Sequence, residues 1–217
     1  MESTPNESKS QGRELTTTSY AVLAILALRE HSTYELAKQM RMSLHYMWPR
    51  AESNVYAEPK RLVDGGFADS RKESTGRRPR TVYSITDSGR AALREWLSHP
   101  SSAQRYESEA LLKVLFAEHG SVEDLRASIR AIGDDAASGV EHWQRIADTY
   151  ETGEGAYPDR FAVSSLVARL LGEQQAATVR WAEWAERIVS SWEKPVGPSP
   201  DWGVKTIRET GRSFPKR

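Results

Sequence analysis

The densest group of chemistry-bearing side chains lies between residues 71 and 80. Arg71, Lys72, Arg77, Arg78 and Arg80 crowd a short turn-rich tip (73–79) stiffened by Pro79. Cations projecting from a hairpin suit phosphate oxygens, because a short turn presents several positive donors at little ordering cost. Planar guanidinium groups can also enter a narrow minor groove. The plainer reading is a solvated basic turn, and the surrounding elements have to decide between the two. A second group precedes it: Arg50, Ser53, Asn54, Tyr56, Lys60 and Arg61 supply the polar and cationic contacts that a helix in a major groove requires. Trp48, with its large apolar area, reads as a packing residue beneath the turn before that helix.

Other chemistries find no matching residues. The five histidines (His31, His45, His99, His119, His142) are scattered, with no pair at the three- or four-residue spacing that would hold a metal from one helix face. There is no phosphate-binding glycine loop, dinucleotide fingerprint or nucleophile elbow. The absence of cysteine excludes disulfides, thiolate metal sites and cysteine nucleophiles. The expectation is a protein that is not an enzyme and uses no metal or cofactor. No run of about 18 apolar residues occurs, so no membrane span is expected. The apolar stretch 20–28 lacks the flanks of a secretory signal, and the expected location is the cytoplasm.

The elements that must position the two groups follow from pattern. Residues 1–14 read as a disordered leader. Residues 16–30 form a helix, apolar on both sides through Val22, Leu23, Ile25 and Leu26 and therefore central. A second helix is capped by Ser32 or Thr33. A third is capped by Ser53 and ends at Gly65 and Gly66, where glycine accepts the left-handed C-cap. Pro59 within it leaves two readings: a bent helix, or one that begins nearer Glu58. The period then shortens to two over 67–72 and 80–85, giving two strands around the basic tip. Thr86 caps a fourth helix. This helix–helix–helix–strand–wing–strand–helix order is that of a winged helix-turn-helix domain, placed at 15–98.

Charge separates this module from the rest. Residues 31–90 hold eleven Lys and Arg against seven Asp and Glu, whereas 91–194 hold eleven against seventeen. After a polar break at 99–105, the chain reads as helix throughout 107–193, with an irregular tail at 194–217. Along its last helix Val163, Val167, Leu170, Gln174, Ala177, Trp181, Trp184, Ile188 and Ser191 recur at alternating four- and three-residue steps, a heptad seam with two polar interruptions. Such a seam either packs inside the protomer or forms a dimer interface, and its length favours the dimer. Five of the seven tryptophans fall at or after Trp143, where they either fill that interface or line a pocket for a small aromatic effector.

The segments SYAVLAILAL, TYELAKQM, NVYAEPKRLVDGGFADS and GRRPRTVYSITDSGRAAL, all within 17–97, resemble the PadR family of transcriptional regulators. The last is the most specific, a Gly-Arg-Arg-Pro-Arg wing running into Tyr-Ser-Ile-Thr-Asp-Ser-Gly. Many members carry proline directly after the recognition-helix tyrosine; here Ala57 follows Tyr56 and proline stands at 59. The resemblance implies a mainly α protein: a winged helix with a two-stranded wing, followed by an all-helical dimerisation domain. It also implies a homodimer on an inverted-repeat operator in double-stranded DNA, most often a repressor released by a small molecule. By that analogy Tyr56, Lys60 and Arg61 belong to the recognition helix, and Arg77, Arg78 and Arg80 to the wing. The competing expectation is a helical ligand-binding or protein-interaction module whose winged helix does not bind DNA.

Overall fold

A computed structural model describes residues 14–48, 55–75, 78–104, 106–154 and 157–213. It divides into two compact units, Met1–Ala103 and Gln104–Arg217. The expected leader lies almost wholly outside the described residues.

In the first unit, α1 (Thr17–Leu28) is started by a capping box between Thr16 and Ser19 and buries Val22, Leu23, Ile25 and Leu26. Its apolar residues run all round, and it is accordingly the central helix of a core shared with Leu36, Ala37, Met40, Val55, Leu62 and Ala68. Two residues, β1 (His31–Ser32), precede α2 (Thr33–Leu44), which Ser32 caps in a second box with Glu35. Helix α3 (Glu58–Asp64) ends in a Schellman turn: Phe67 N–H donates to the Leu62 carbonyl at 2.9 Å and Gly66 N–H to that of Val63 at 3.0 Å. Gly66 takes φ 74°, the left-handed conformation expected of it.

Strands β2 (Ala68–Thr75) and β3 (Arg78–Ile85) form the wing, and β1 pairs antiparallel with the other edge of β3, giving the order β1-β3-β2. The sheet thus has a third strand beyond the two expected. Thr86 then caps α4 (Asp87–Ser98), and its hydroxyl also donates to the Gly66 carbonyl at 2.8 Å. Tyr20 of α1 stacks on Trp96 of α4, with ring centroids 4.9 Å apart.

The second unit is helical. Short α5 (Glu109–Leu115) and a 3₁₀ turn (Ala117–His119) lead into α6 (Val122–Glu151), which pairs with α7 (Phe161–Val189). Leu125, Ile129, Ala182, Ala185 and Val189 form the core between them, with Trp181 and Trp192 packed against it. Gly133 lets the two helices close: a Cβ there would lie 2.9 Å from Ala182 Cβ. The tail expected to be irregular instead carries α8 (Pro200–Ser213), whose Trp202 meets Trp192 edge to face. Its prolines suggested a break, but Pro200 is at the first helical position, where a missing N–H costs nothing, and Ser199 accepts from Trp202 N–H.

Candidate nucleic-acid interface

Helix α3 is shorter than expected and starts at Glu58 rather than at Ser53. Pro59 sits in its first turn, where proline is tolerated, so the helix is not bent at that residue. Ser53 and Asn54, like Arg50, lie outside the described residues. Residues 55–57 make a turn in which Val55 enters the core and Tyr56 points outward, 65% exposed. Lys60, in the first turn of α3, is exposed as well. Arg61 is placed differently. Its guanidinium donates to Glu58 Oε1 at 2.7 Å and to Ser19 Oγ at 2.5 Å, bracing α3 against α1. Glu58 is only 6% exposed, so this pair compensates a carboxylate held almost out of water. Trp48 donates its indole N–H to Thr18 Oγ1 at 3.2 Å but is 38% exposed, so it is not the buried packing residue expected.

The wing strands are longer than the sequence suggested. Register runs from Ala68 opposite Ile85 to Thr75 opposite Arg78, so the strands extend into the expected tip. Gly76 and Arg77 lie outside the described residues, and Arg78 is the first residue of β3. Pro79 costs no ladder bond on its far side, because β1 covers only Tyr83 and Val82 of β3.

At the base of the wing the cations are held by carboxylates. Arg71 makes a bidentate pair with Glu30 at 2.6 and 2.5 Å and also donates to Glu73 Oε1 at 2.7 Å. Arg80 donates to the other oxygen of Glu73 at 3.0 Å and lies 3.8 Å from Glu35. Hydrogen bonds from Arg80 and Arg71 hold the Glu73 carboxyl below its usual range. The Arg71 bond does the same for Glu30, and Glu35 is lowered mainly by its bonds from Ser32. Lys72 points to solvent.

One set of candidates escaped the sequence reading. Tyr34, Lys38 and Arg41 are exposed along one face of α2, at four- and three-residue steps. In a helix-turn-helix the first helix crosses the phosphate backbone, and a tyrosine with two cations is a fitting set of donors. The four- and three-residue spacing of these side chains is visible in the sequence itself.

In the second unit the heptad seam divides. Val163 (60% exposed), Val167, Leu170 (56%), Ala177 and Trp184 lie open in the single chain, as does Leu166 (72%) beside them. Trp181 and Ile188 are half-buried, and Trp181 is taken up by the protomer's own core. The tryptophans do not converge on one cavity. A shallow groove of about 300 Å³ between α6 and α7 is lined instead by Ala137, Val140, Glu141, Ala176 and Val179. No helix among the described residues is long and apolar enough to cross a membrane.

Comparison with known proteins agrees with this architecture. The chain is 32% identical over 99 residues to the negative transcriptional regulator PadR of Bacillus subtilis, a match covering 45% of this chain and 54% of that protein. It therefore spans about half the length of that relative. Among solved structures, smu.1604c of Streptococcus mutans superposes with a TM-score of 0.71 at 18% identity, over 79% of this chain and 98% of that one. Bacillus subtilis PadR has been solved with operator DNA (TM-score 0.65, 24% identity, 80% and 99% covered). It has also been solved with p-coumaric acid (TM-score 0.62, 22% identity, 81% and 100% covered). Residues 22–95 match the transcriptional regulator PadR-like family, and residues 107–190 match the family described as virulence activator alpha C-term. The chain thus carries a PadR-like transcriptional regulator domain at 22–95, followed at 107–190 by a helical virulence activator alpha C-terminal domain, which fits the longer form of PadR-like proteins.

Proposed function

We propose that this chain is a cytoplasmic homodimeric repressor that binds an inverted-repeat operator in double-stranded DNA and is released by a small aromatic molecule. The observation that carries DNA binding is the arrangement of three donor sets on one winged helix. Tyr56 and Lys60 are exposed at α3, Tyr34, Lys38 and Arg41 on α2, and Arg78 begins β3 at the far end of the described hairpin, with Arg77 next to it in sequence. Arg50, Ser53 and Asn54 belong to the contact surface in this reading, at the entry to α3. Arg61 and Arg80 contribute to it through the ion pairs that fix α3 and the wing.

Dimerisation is supported by the open row Val163, Val167, Leu170, Ala177 and Trp184, with Trp181 and Ile188 at its half-buried end. An exposed apolar row of this length is stable in water only when covered, and a second α7 covers it with matching periodicity. Two wings then reach two half-sites, which roughly doubles the binding free energy available to one module. Release by an aromatic effector is supported by the complex of Bacillus subtilis PadR with p-coumaric acid.

The test is a gel shift with inverted repeats from the DNA flanking the gene, repeated from 50 to 200 mM salt. Binding should weaken steeply with salt, and R77A/R78A, which removes four cations from the dimer, should flatten the slope by about 3.6 at roughly 0.9 per phosphate contact. A salt-independent complex, or none, would refute DNA binding. Quenching of tryptophan fluorescence by p-coumaric acid, with loss of the shifted band, tests release.

A further inference from the structure

Five charged side chains meet at the base of the wing: Glu30, Glu35 and Glu73 with Arg71 and Arg80. The carboxylates outnumber the guanidiniums. Glu73 is the hinge of the group, because its two oxygens bind different partners, Oε1 taking Arg71 and Oε2 taking Arg80. All five are partly open to water; the Arg71 and Arg80 side chains are 49% and 46% exposed. Ion pairs so exposed contribute little to folding stability. Their main consequence is where positive charge is available on the surface.

We propose that Glu73 is a positioning residue that sets how many phosphates the wing engages. By bridging Arg71 and Arg80 it keeps both guanidiniums off the DNA backbone and confines phosphate contact to the far end of the hairpin. This rests on the DNA-binding reading above. Non-specific affinity for DNA is almost entirely a count of neutralised phosphates, and phosphate contacts carry no sequence information. A wing with every arginine free would therefore bind any duplex more tightly. Glu73 suits this role because it faces both cations across and along the hairpin: Arg80 is its cross-strand partner, and Arg71 lies two residues away on the same face of β2. The two ends of the network differ in redundancy. Arg71 keeps a bidentate bond to Glu30 when Glu73 is removed, whereas Arg80 retains only the 3.8 Å approach of Glu35.

The experiment measures full-length protein on a random-sequence duplex by fluorescence anisotropy between 50 and 200 mM potassium chloride. E73Q frees mainly Arg80, one on each wing of the dimer, so the slope of log K against log salt should steepen by about 1.8, and affinity at 0.1 M salt should rise about sixty-fold. E30Q/E73Q frees both arginines on each wing, and the slope should steepen by about 3.6. In the R71Q/R80Q background, adding E73Q should leave slope and affinity unchanged. An unaltered slope in both E73Q and E30Q/E73Q would overturn the proposal. So would an equal gain from E73Q in the R71Q/R80Q background, which would reduce Glu73 to one more negative charge near DNA. If the wild type itself shows no salt-dependent binding, the DNA-binding reading falls and takes this one with it; wild-type binding with an inert Glu73 removes this one alone.

Discussion

Replacing Gly89 with alanine separates two opposed effects, and the structure says which should win. Gly89 lies in the first turn of α4, where its N–H donates to the capping Thr86 hydroxyl at 3.1 Å. Helix propensity alone favours the substitution, since alanine exceeds glycine by about 1 kcal/mol in a helix interior and by less in a first turn. The space is not there, however. A Cβ at this position would lie 2.1 Å from the Phe67 carbonyl oxygen and 2.8 Å from Ile85 Cγ1. The backbone at Phe67 cannot swing aside freely, because its carbonyl accepts from Thr86 N–H at 3.2 Å and its N–H completes the Schellman turn of α3. Overpacking of this kind costs about 1–3 kcal/mol, and loosening the Thr86 bond adds about 1 kcal/mol. The net expectation is a loss of about 2–3 kcal/mol. For a unit of this size that lowers Tm by roughly 8–20 °C. Scanning calorimetry of the full chain reads this directly, with G172A as the control. Gly172 sits within α7 with nothing within 4 Å of a Cβ, so alanine there should raise the melting temperature of the second unit. A G89A transition at or above the wild-type temperature would refute the close approach of α4 to the start of β2.

V167D/L170D on α7 should give a monomer by light scattering with unchanged circular dichroism, since both side chains are exposed in the single chain; a persistent dimer would remove the seam from the interface. K38A/R41A removes four cations from the proposed dimer and should flatten the salt slope of binding by about 3.6 on operator and random duplexes alike, because phosphate contacts are blind to sequence. An unchanged slope would return α2 to a scaffolding role. T86A removes both the cap to Gly89 and the bond to Gly66, and should cost about 1–2 kcal/mol by urea titration. For pH, bonds from Ser121 hold the Asp124 carboxyl below its ordinary 3.8. A carboxyl depressed in the folded state stabilises fully above that value and loses its contribution as pH falls through the lower folded one. D124N should therefore flatten the acid limb of the stability curve below about pH 4, and an acid limb identical to wild type would contradict the assignment.

The parts of the fold that were legible in the sequence are those fixed by neighbours along the chain. The Ser32 cap, the Thr86 cap and the left-handed glycine after α3 each depend on residues within a few positions, and each stands where the pattern put it. Pro59 was ambiguous for a related reason. Proline breaks a helix interior yet suits a first turn, so its meaning depends on where the helix begins, and the residues before it gave a competing cap at Ser53. The tail failed in the same way, with Pro200 opening a helix where a break was expected.

What the sequence hid was the fate of individual charges and apolar residues. Arg71 and Arg80 read as free cations beside Arg77 and Arg78, but Glu30 lies 41 positions from Arg71, and no local pattern announces that a β1-to-β3 pairing will bring them together. Composition counts a charge, whereas only the register of the hairpin decides whether it faces a carboxylate or a phosphate. The same holds for α7. A period of four and three residues identifies a face but not its cover, and one protomer already takes Trp181 into its own core while leaving Leu166, off the strict seam, in water. In the proposed dimer, the surface available to a second copy is what the α6 and α7 pair leaves uncovered. That places the proposed contacts in the first half of α7, where Val163, Leu166, Val167 and Leu170 are open together, rather than at Trp181, which the protomer's own core takes up.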